Sequence, residues 1–199
     1  MKYHGPIWVV IVAALFAAVG RAEPQPGAIE YRRIELRDGH FACDIPRDWE
    51  MSRDEHEEAR IHYAGFFLVG PRQGDPLPPT ISARYFAPDN TLFKDADAYL
   101  SRQLQPGLVQ VQGETTSAVR EATLDGQPAK TFTRNTFDFV PPESLDSKRI
   151  DVREQYWVAP HRKGFVVLKF TAPTASFDRW HPAFARLIAT FAALPANEQ

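Results

Sequence analysis

The stretch IDVREQYWVAPHRKGFVVLKFTA, residues 150–172, predicts the centre of the fold. Apolar and polar residues alternate before PHRK, and the run after it is almost entirely apolar, so both runs have the pattern of β-strands. Two such runs joined by a short polar loop are typical of a β-hairpin. We therefore predict antiparallel strands over 150–159 and 164–172.

The segment that follows, SFDRWHPAFARLIATFAAL, predicts a C-terminal amphipathic helix. Its apolar residues recur at intervals of three and four, which places a wide apolar stripe on one helix face. Pro182 lies inside that stripe. Proline lacks the backbone N–H that an interior helical position needs, so the regular helix either begins close to Pro182 or kinks there.

Upstream of the hairpin, two Asp-Gly pairs stand between alternating runs, at Asp38-Gly39 and Asp125-Gly126. Asp-Gly is a strong signal for a two-residue hairpin turn, because both central residues of such a turn need a positive φ. We expect strands on either side of each pair, over 31–37 and 40–45 and again from 128 to 140. Two further segments, 59–70 and 80–87, are also predicted as strands. The first of them forms either one strand or a bent pair of strands.

The spacing of apolar residues changes from two to three and four within DNTLFKDADAYLSRQLQPG. That change predicts a helix inserted between strands, capped by Asn90 or Thr91 and ended by Pro106-Gly107. The whole pattern is six to eight strands, mostly joined by hairpins, with one inserted and one C-terminal helix. It favours the α+β class, an antiparallel sheet flanked by helices.

The N-terminus has the features of a secretory signal peptide. The 13-residue apolar run from Ile7 to Val19 is shorter than the roughly 20 residues that a membrane span needs, and small residues precede a cut after Ala22. We predict a signal peptide over 1–22, a linker over 23–30, one domain over 31–194 and a tail over 195–199. No lipobox cysteine follows the cut, so we expect a periplasmic or extracellular protein whose contact with a membrane is at most peripheral; an uncleaved anchor is the alternative.

Charge and cysteine content narrow the function classes. Without Lys2 and Arg21 the exported chain keeps 21 basic and 25 acidic residues, and no strongly basic patch remains. Nucleic acid is therefore not an expected partner. A single cysteine provides no disulfide framework, so the hydrophobic core has to stabilise the fold. We expect a monomer.

Cys43 lies between Phe41 and Ile45 on the apolar face of its predicted strand. A small buried thiol is the simplest interpretation. A reactive cysteine needs an electropositive neighbourhood, and Asp44 and Asp48 are adjacent. An intermolecular disulfide is the second alternative, a reactive thiol the third.

No catalytic or metal-binding motif stands out. The histidines lack the spacing of a HExxH site, and the acidic run at 53–60 lacks the glycine and spacing of an EF-hand. We expect no cofactor, no metal and no enzymatic activity. His161 and His62 are the residues we would examine if the protein were a secreted enzyme.

Aromatic residues supply the predicted binding surface. Trp157 and Arg153 share one face of the strand over 150–159, opposite Val152, Tyr156 and Val158. If that face is open, Trp157 and Arg153 form a contact patch, with Trp49 as a third candidate. If a helix covers it, they are packing residues.

The order of these features resembles that of PsbP-like domains. A strand ending in Ile45-Pro46-Arg47-Asp48-Trp49 is followed by GFFLVGP, TISARYF, DADAYLSRQL, LDGQPAKTF and the final hairpin and helix. The resemblance covers most of 31–194 and extends to DcrB-like exported proteins. It implies a central antiparallel sheet flanked by helices, and an accessory or binding role without catalysis.

The resemblance and the export signal together predict an exported accessory protein that contacts a protein partner in the cell envelope. The first alternative is an extrinsic subunit of a membrane-bound photosynthetic or redox complex. The second is a secreted enzyme with an unrecognised site. A shared fold does not decide between them.

Overall fold

The computed structural model describes residues 29–36, 40–105 and 113–194. The predicted signal peptide at 1–22 and the predicted tail at 195–199 lie outside the described residues. Within the described ranges the chain forms strands and three α-helices. The strands are β1 (Tyr31–Glu35), β2 (Phe41–Pro46), β3 (Glu50–Ser52), β4 (Tyr63–Val69), β5 (Thr80–Phe86), β6 (Thr115–Thr116), β7 (Arg120–Leu124), β8 (Gln127–Val140), β9 (Lys148–His161), β10 (Gly164–Pro173) and β11 (Ala192–Ala193).

Eight of the described strands form one antiparallel sheet. Its order is β3-β4-β5-β10-β9-β8, and both β6 and β7 pair with the outer edge of β8. The predicted hairpin is confirmed as β9–β10, with His161 paired to Gly164 across a two-residue turn. The strand β10 lies between β5 and β9, and most of its side chains are buried, in keeping with its almost unbroken apolar sequence.

The second Asp-Gly turn is confirmed at the β7–β8 connection. Asp125 has φ 49° and Gly126 has φ 72°, and Leu124 pairs with Gln127. The first pair, Asp38-Gly39, lies outside the described residues, but β1 and β2 on either side of it do pair antiparallel. They form a small separate sheet, in which β11 adds to the other edge of β2.

The C-terminal helix α3 (Phe177–Thr190) begins five residues before Pro182 and continues through it. Its apolar stripe packs with the small sheet against one face of the large sheet. The side chains of this larger core include Phe41, Cys43, Ile45, Leu68, Ile81, Leu168, Phe170, Phe184 and Leu187, each with no exposed surface. The α+β class with helices flanking an antiparallel sheet is confirmed.

The inserted helix α2 (Ala96–Leu104) is confirmed, but the start predicted at Asn90 or Thr91 is wrong. The N-cap is Asp95, whose carboxylate accepts the Ala98 N–H at 2.8 Å. Asn90 instead forms a local turn, in which its side-chain oxygen accepts the backbone N–H of Phe93 at 2.8 Å. Asparagine competes in this way with the helical backbone, so the chain enters the helix one turn later. The predicted end at Pro106-Gly107 lies outside the described residues.

The strand predicted over 59–70 is wrong in its first part, because a short helix α1 (Glu55–Ile61) precedes β4. Asp54 caps α1 by accepting the Glu57 N–H at 3.0 Å. Acidic residues in the first turn suit the positive end of the helix dipole. The left-handed residue His62, with φ 62°, ends the helix. None of the described helices is long and apolar enough to cross a membrane.

Candidate functional site

Trp157 and Arg153 lie on the face of β9 that α3 covers. Trp157 is half-buried against the larger core, and its ring nitrogen is buried with no hydrogen-bond partner among the described residues. The Arg153 guanidinium lies over the Phe177 ring of α3, 5.1 Å from its centre. The neighbouring Gln155 side chain is 2.8 Å from the His181 ring of α3. These contacts favour the packing interpretation for both residues.

Trp49, the third predicted binding residue, belongs to the core. Its side chain is 4% exposed and lies edge-on to Trp180 of α3, with ring centres 6.0 Å apart. The structure therefore places all three predicted residues on the α3 side of the large sheet, and it brings none of them to an open surface patch.

Cys43 has no exposed surface, and burial raises the pKa of its thiol to about 12. A thiol with that pKa is protonated at neutral pH and cannot act as a nucleophile. The interpretation as a small core residue is confirmed.

The two histidines named for a hidden active site contact different partners. The His161 ring is 2.8 Å from the backbone oxygen of His40, and burial lowers its pKa. His62 is 2.9 Å from the Asp89 carboxylate, but both side chains are exposed at the surface. Among the described residues, no group of three or more histidine, cysteine or acidic side chains could hold a metal ion.

The opposite face of the large sheet is only half covered by helices. Under α2 lies a second, smaller core, whose members include Phe86, Tyr99, Leu100, Phe132, Tyr156, Val158, Phe165 and Val167. Beyond it the same strands carry polar or exposed side chains, namely Phe67, Ser82, Arg84, Arg134, Thr171 and Lys169. We call this uncovered part, made by those six residues and Glu154, the open half.

Three charged side chains from three adjacent strands meet at the centre of the open half. Glu154 of β9 is only 5% exposed. One of its oxygens accepts from Arg134 of β8 and the other from Lys169 of β10, each at 2.6 Å. The Tyr156 hydroxyl also donates to Glu154, at 2.8 Å, and accepts from Arg134 at 3.0 Å. Glu154 thus fixes the positions of both cations.

The electrostatics of this group follow from the two cations. Burial alone would raise the pKa of Glu154, but Lys169 and Arg134 outweigh burial and hold it below its usual range. Burial, together with the Glu154 charge, raises the pKa of the Tyr156 hydroxyl. Glu154 is therefore ionised at neutral pH and Tyr156 is neutral.

A cleft of about 270 Å³ opens between this charged group and the second helix. Arg84 of β5 adds a third cation to its wall and is exposed, with its guanidinium 5.2 Å from the centre of the Tyr63 ring. Among the described residues, no carboxylate lies within ion-pair distance of Arg84. Three cations and one carboxylate leave the cleft with two positive charges in excess. We call it the cationic cleft.

Tyr99 of α2 supplies a polar group to the same cleft. Its side chain is 7% exposed and lines the cleft, yet its hydroxyl has no hydrogen-bond partner among the described residues. Arg84 and Arg134 are close enough to lower its pKa, although burial has the larger effect and raises it. The hydroxyl therefore keeps a donor at the cleft that no described residue uses.

Sequence reasoning missed the cationic cleft, although one signal was present. Lys169 interrupts the apolar run of the central strand, and Arg84, Arg134 and Glu154 share a strand face with the buried residues Phe86, Phe132 and Tyr156. A charged residue is rarely buried unless it has a partner. Only the strand order shows that these four positions are neighbours.

No family model and no curated protein matches the chain. Solved structures do. Cyanobacterial PsbP, CyanoP, of Synechocystis sp. PCC 6803 is 10% identical, with a TM-score of 0.50 over 87% of this chain and 99% of CyanoP. The chain has a PsbP-like fold.

Two further solved structures match most of the chain. LpqN of Mycobacterium tuberculosis, described as involved in cell envelope biogenesis, is 20% identical, with a TM-score of 0.46 over 84% of this chain and 92% of LpqN. PA94 of Pseudomonas aeruginosa, a protein of unknown function, is 14% identical, with a TM-score of 0.47 over 83% of this chain and 98% of PA94. At these identities the likeness concerns the fold alone.

Proposed function

We propose that this PsbP-like chain is an exported, non-enzymatic accessory protein that binds a protein partner in the cell envelope through the open half of its large sheet. The observation that carries the proposal is that the two faces of the large sheet are covered to different extents. One face of the sheet is closed by α3 and the small sheet, whereas the other carries three converging cations that no described helix covers.

Holding these charged side chains together on the sheet costs free energy. A lysine and an arginine on inward sheet positions lose hydration, and a buried glutamate compensates them only in part. Replacing such a network with apolar residues of similar volume is often neutral or stabilising. A contribution to stability therefore does not explain why the charged residues are present, whereas a role in binding a partner does.

The sequence supports export, through the signal-peptide pattern over 1–22. Absence of catalysis is proposed because His161 is engaged with a backbone oxygen and His62 lies at the exposed surface. A role as an extrinsic subunit of a photosynthetic or redox complex remains the alternative, and the identity of the partner separates it from other envelope roles.

A capture experiment with a blocked surface tests the proposal. The tagged protein is incubated with native envelope extract at low salt, and bound proteins are identified by mass spectrometry. Ser82→Trp places a bulky ring in the open half, and Ala185→Trp places the same ring on the exposed side of α3. We expect Ser82→Trp to lose a stoichiometric partner that wild type and Ala185→Trp retain.

Thermal melting of both variants confirms that each is folded. Equal capture by the two variants, or loss in Ala185→Trp alone, contradicts the proposed surface. Turnover of a substrate by the pure protein, abolished by a single histidine or aspartate substitution, contradicts the non-enzymatic role.

A further inference from the structure

We infer that the cationic cleft binds the side-chain carboxylate of an acidic residue that the partner presents between apolar neighbours. The inference rests on the proposed function and names the chemistry of the partner segment. It is carried by the cationic cleft, by the unused Tyr99 hydroxyl and by two exposed apolar side chains beside them.

The cationic cleft already holds one carboxylate in this manner. Glu154 receives Arg134, Lys169 and Tyr156 on its two oxygens, so the donors of this face are arranged for carboxylate geometry. Arginine offers five N–H donors and lysine three, and Glu154 uses only part of this capacity. Side chains of both cations remain 31% exposed toward the cleft and retain donors for a second anion.

Arg84 and Tyr99 complete a site on the other wall of the cleft. The Arg84 guanidinium packs on the Tyr63 ring and has no carboxylate partner among the described residues. The Tyr99 hydroxyl borders the same cleft and has no hydrogen-bond partner there either. An incoming carboxylate would satisfy both, and a desolvated, charge-assisted hydrogen bond is stronger than a neutral one.

The surroundings of the cleft indicate what flanks that carboxylate. Leu92, 53% exposed, lines the cleft, and Phe67, 37% exposed, pairs across β4 and β5 with Ser82 on its wall. Exposed apolar side chains beside a charged pocket are typical of a protein contact, in which the surrounding contacts exclude water from the central one. A segment with an acidic residue between apolar residues matches both features.

Nuclear magnetic resonance with two matched peptides tests the inference. The 15N-labelled protein, as recovered after export, is titrated with acetyl-Leu-Glu-Leu-amide and with acetyl-Leu-Gln-Leu-amide. We expect the glutamate peptide to shift the signals of Arg84, Tyr99 and Lys169, and to bind at least about tenfold more tightly than the glutamine peptide, since one charge-assisted contact accounts for such a factor.

Tyr99→Phe removes a single hydroxyl from the cleft, and Tyr31→Phe is the matched control on the other side of the molecule. We expect Tyr99→Phe to weaken the glutamate peptide about tenfold and to leave the glutamine peptide unchanged. Tyr31→Phe should change neither. Equal binding of the two peptides, or no shift in the cleft at 20 mM peptide, would overturn the inference.

The phosphate of an anionic lipid is the alternative ligand for the cleft. The same protein is therefore mixed with phosphatidylglycerol vesicles and with neutral phosphatidylcholine vesicles. Vesicle binding that requires Arg84, with no preference for the glutamate peptide, assigns the cleft to a lipid phosphate and overturns the inference. If Ser82→Trp abolishes partner capture while neither anion binds, the proposed function stands and only the carboxylate assignment fails.

Discussion

The two faces of the large sheet are built from the same strands and differ in how they are covered. On the central strand β10, Leu168 faces the α3 side with no exposed surface, while the next residue, Lys169, faces the open half and pairs with Glu154. The α3 side is filled by aromatic and aliphatic side chains. The difference teaches that the alternation of a strand can place a fully buried apolar side chain and a paired charge at neighbouring positions, one on each face of the sheet.

The largest difference between the two faces is expected in the free energy of unfolding that is lost when an aromatic side chain is truncated. Phe184→Ala removes a fully buried ring beneath α3 and should lower the free energy of unfolding by about 3–5 kcal/mol, the range for buried Phe→Ala. Phe67→Ala, at a side chain that is 37% exposed in the open half, should cost about 1 kcal/mol or less. Urea unfolding measures both, and similar losses at the two sites would break the comparison.

The second largest loss of stability is expected when the charged group of the open half is disrupted. Glu154→Gln keeps the shape but leaves Arg134 and Lys169 without a counter-charge, and should cost about 1–3 kcal/mol at pH 7. Glu121→Gln, at an exposed position, is the control and should cost almost nothing.

The pH dependence of that effect has a defined sign. The pKa of Glu154 is lowered in the folded state, so its contribution is present above the unfolded pKa and is lost as the pH falls through the folded pKa. The difference between wild type and Glu154→Gln should therefore shrink on acidification from pH 7 to pH 3. A difference that is constant over this range contradicts an ionised, stabilising Glu154.

Much of this architecture could be predicted from sequence, because it depends on local patterns. Strand alternation, the turn at Asp125-Gly126 and the apolar stripe of α3 each lie within a few residues. The short helix α1 was missed because its charged sequence is typical of an exposed surface, and its end depends on the left-handed His62.

The candidate site could not be predicted, because it depends on strand order. Arg84, Arg134, Glu154 and Lys169 come from four strands, and their meeting follows from the pairing of β5, β10, β9 and β8. The prediction for Trp157 had the correct geometry, opposite Val152 and Tyr156. Which face a helix covers depends on the tertiary fold, and α3 covers the Trp157 side, in keeping with the alternative in which Trp157 is a packing residue.

The smallest effect on stability is expected at the edge of the α3 side of the sheet, where His161 packs edge-on against Tyr85. Burial lowers the pKa of His161 in the folded state from its ordinary value of 6.5. The unfolded chain therefore takes up a proton first, and stability falls as the pH drops below about 6.5. The melting temperature of wild type should decrease more between pH 7.5 and pH 5.5 than that of His161→Asn. Equal decreases in wild type and His161→Asn would contradict a lowered pKa for His161 in the folded protein.

The most direct test of the central claim is photo-crosslinking in intact cells. A benzoylphenylalanine residue is placed at Thr171, on the open half, or at Ala185, on the exposed side of α3. We expect one defined crosslinked partner from position 171 and none from position 185, with the 171 product reduced by Arg84→Glu. A crosslink to the same partner from position 185 alone would contradict the assignment of the open half as the binding surface.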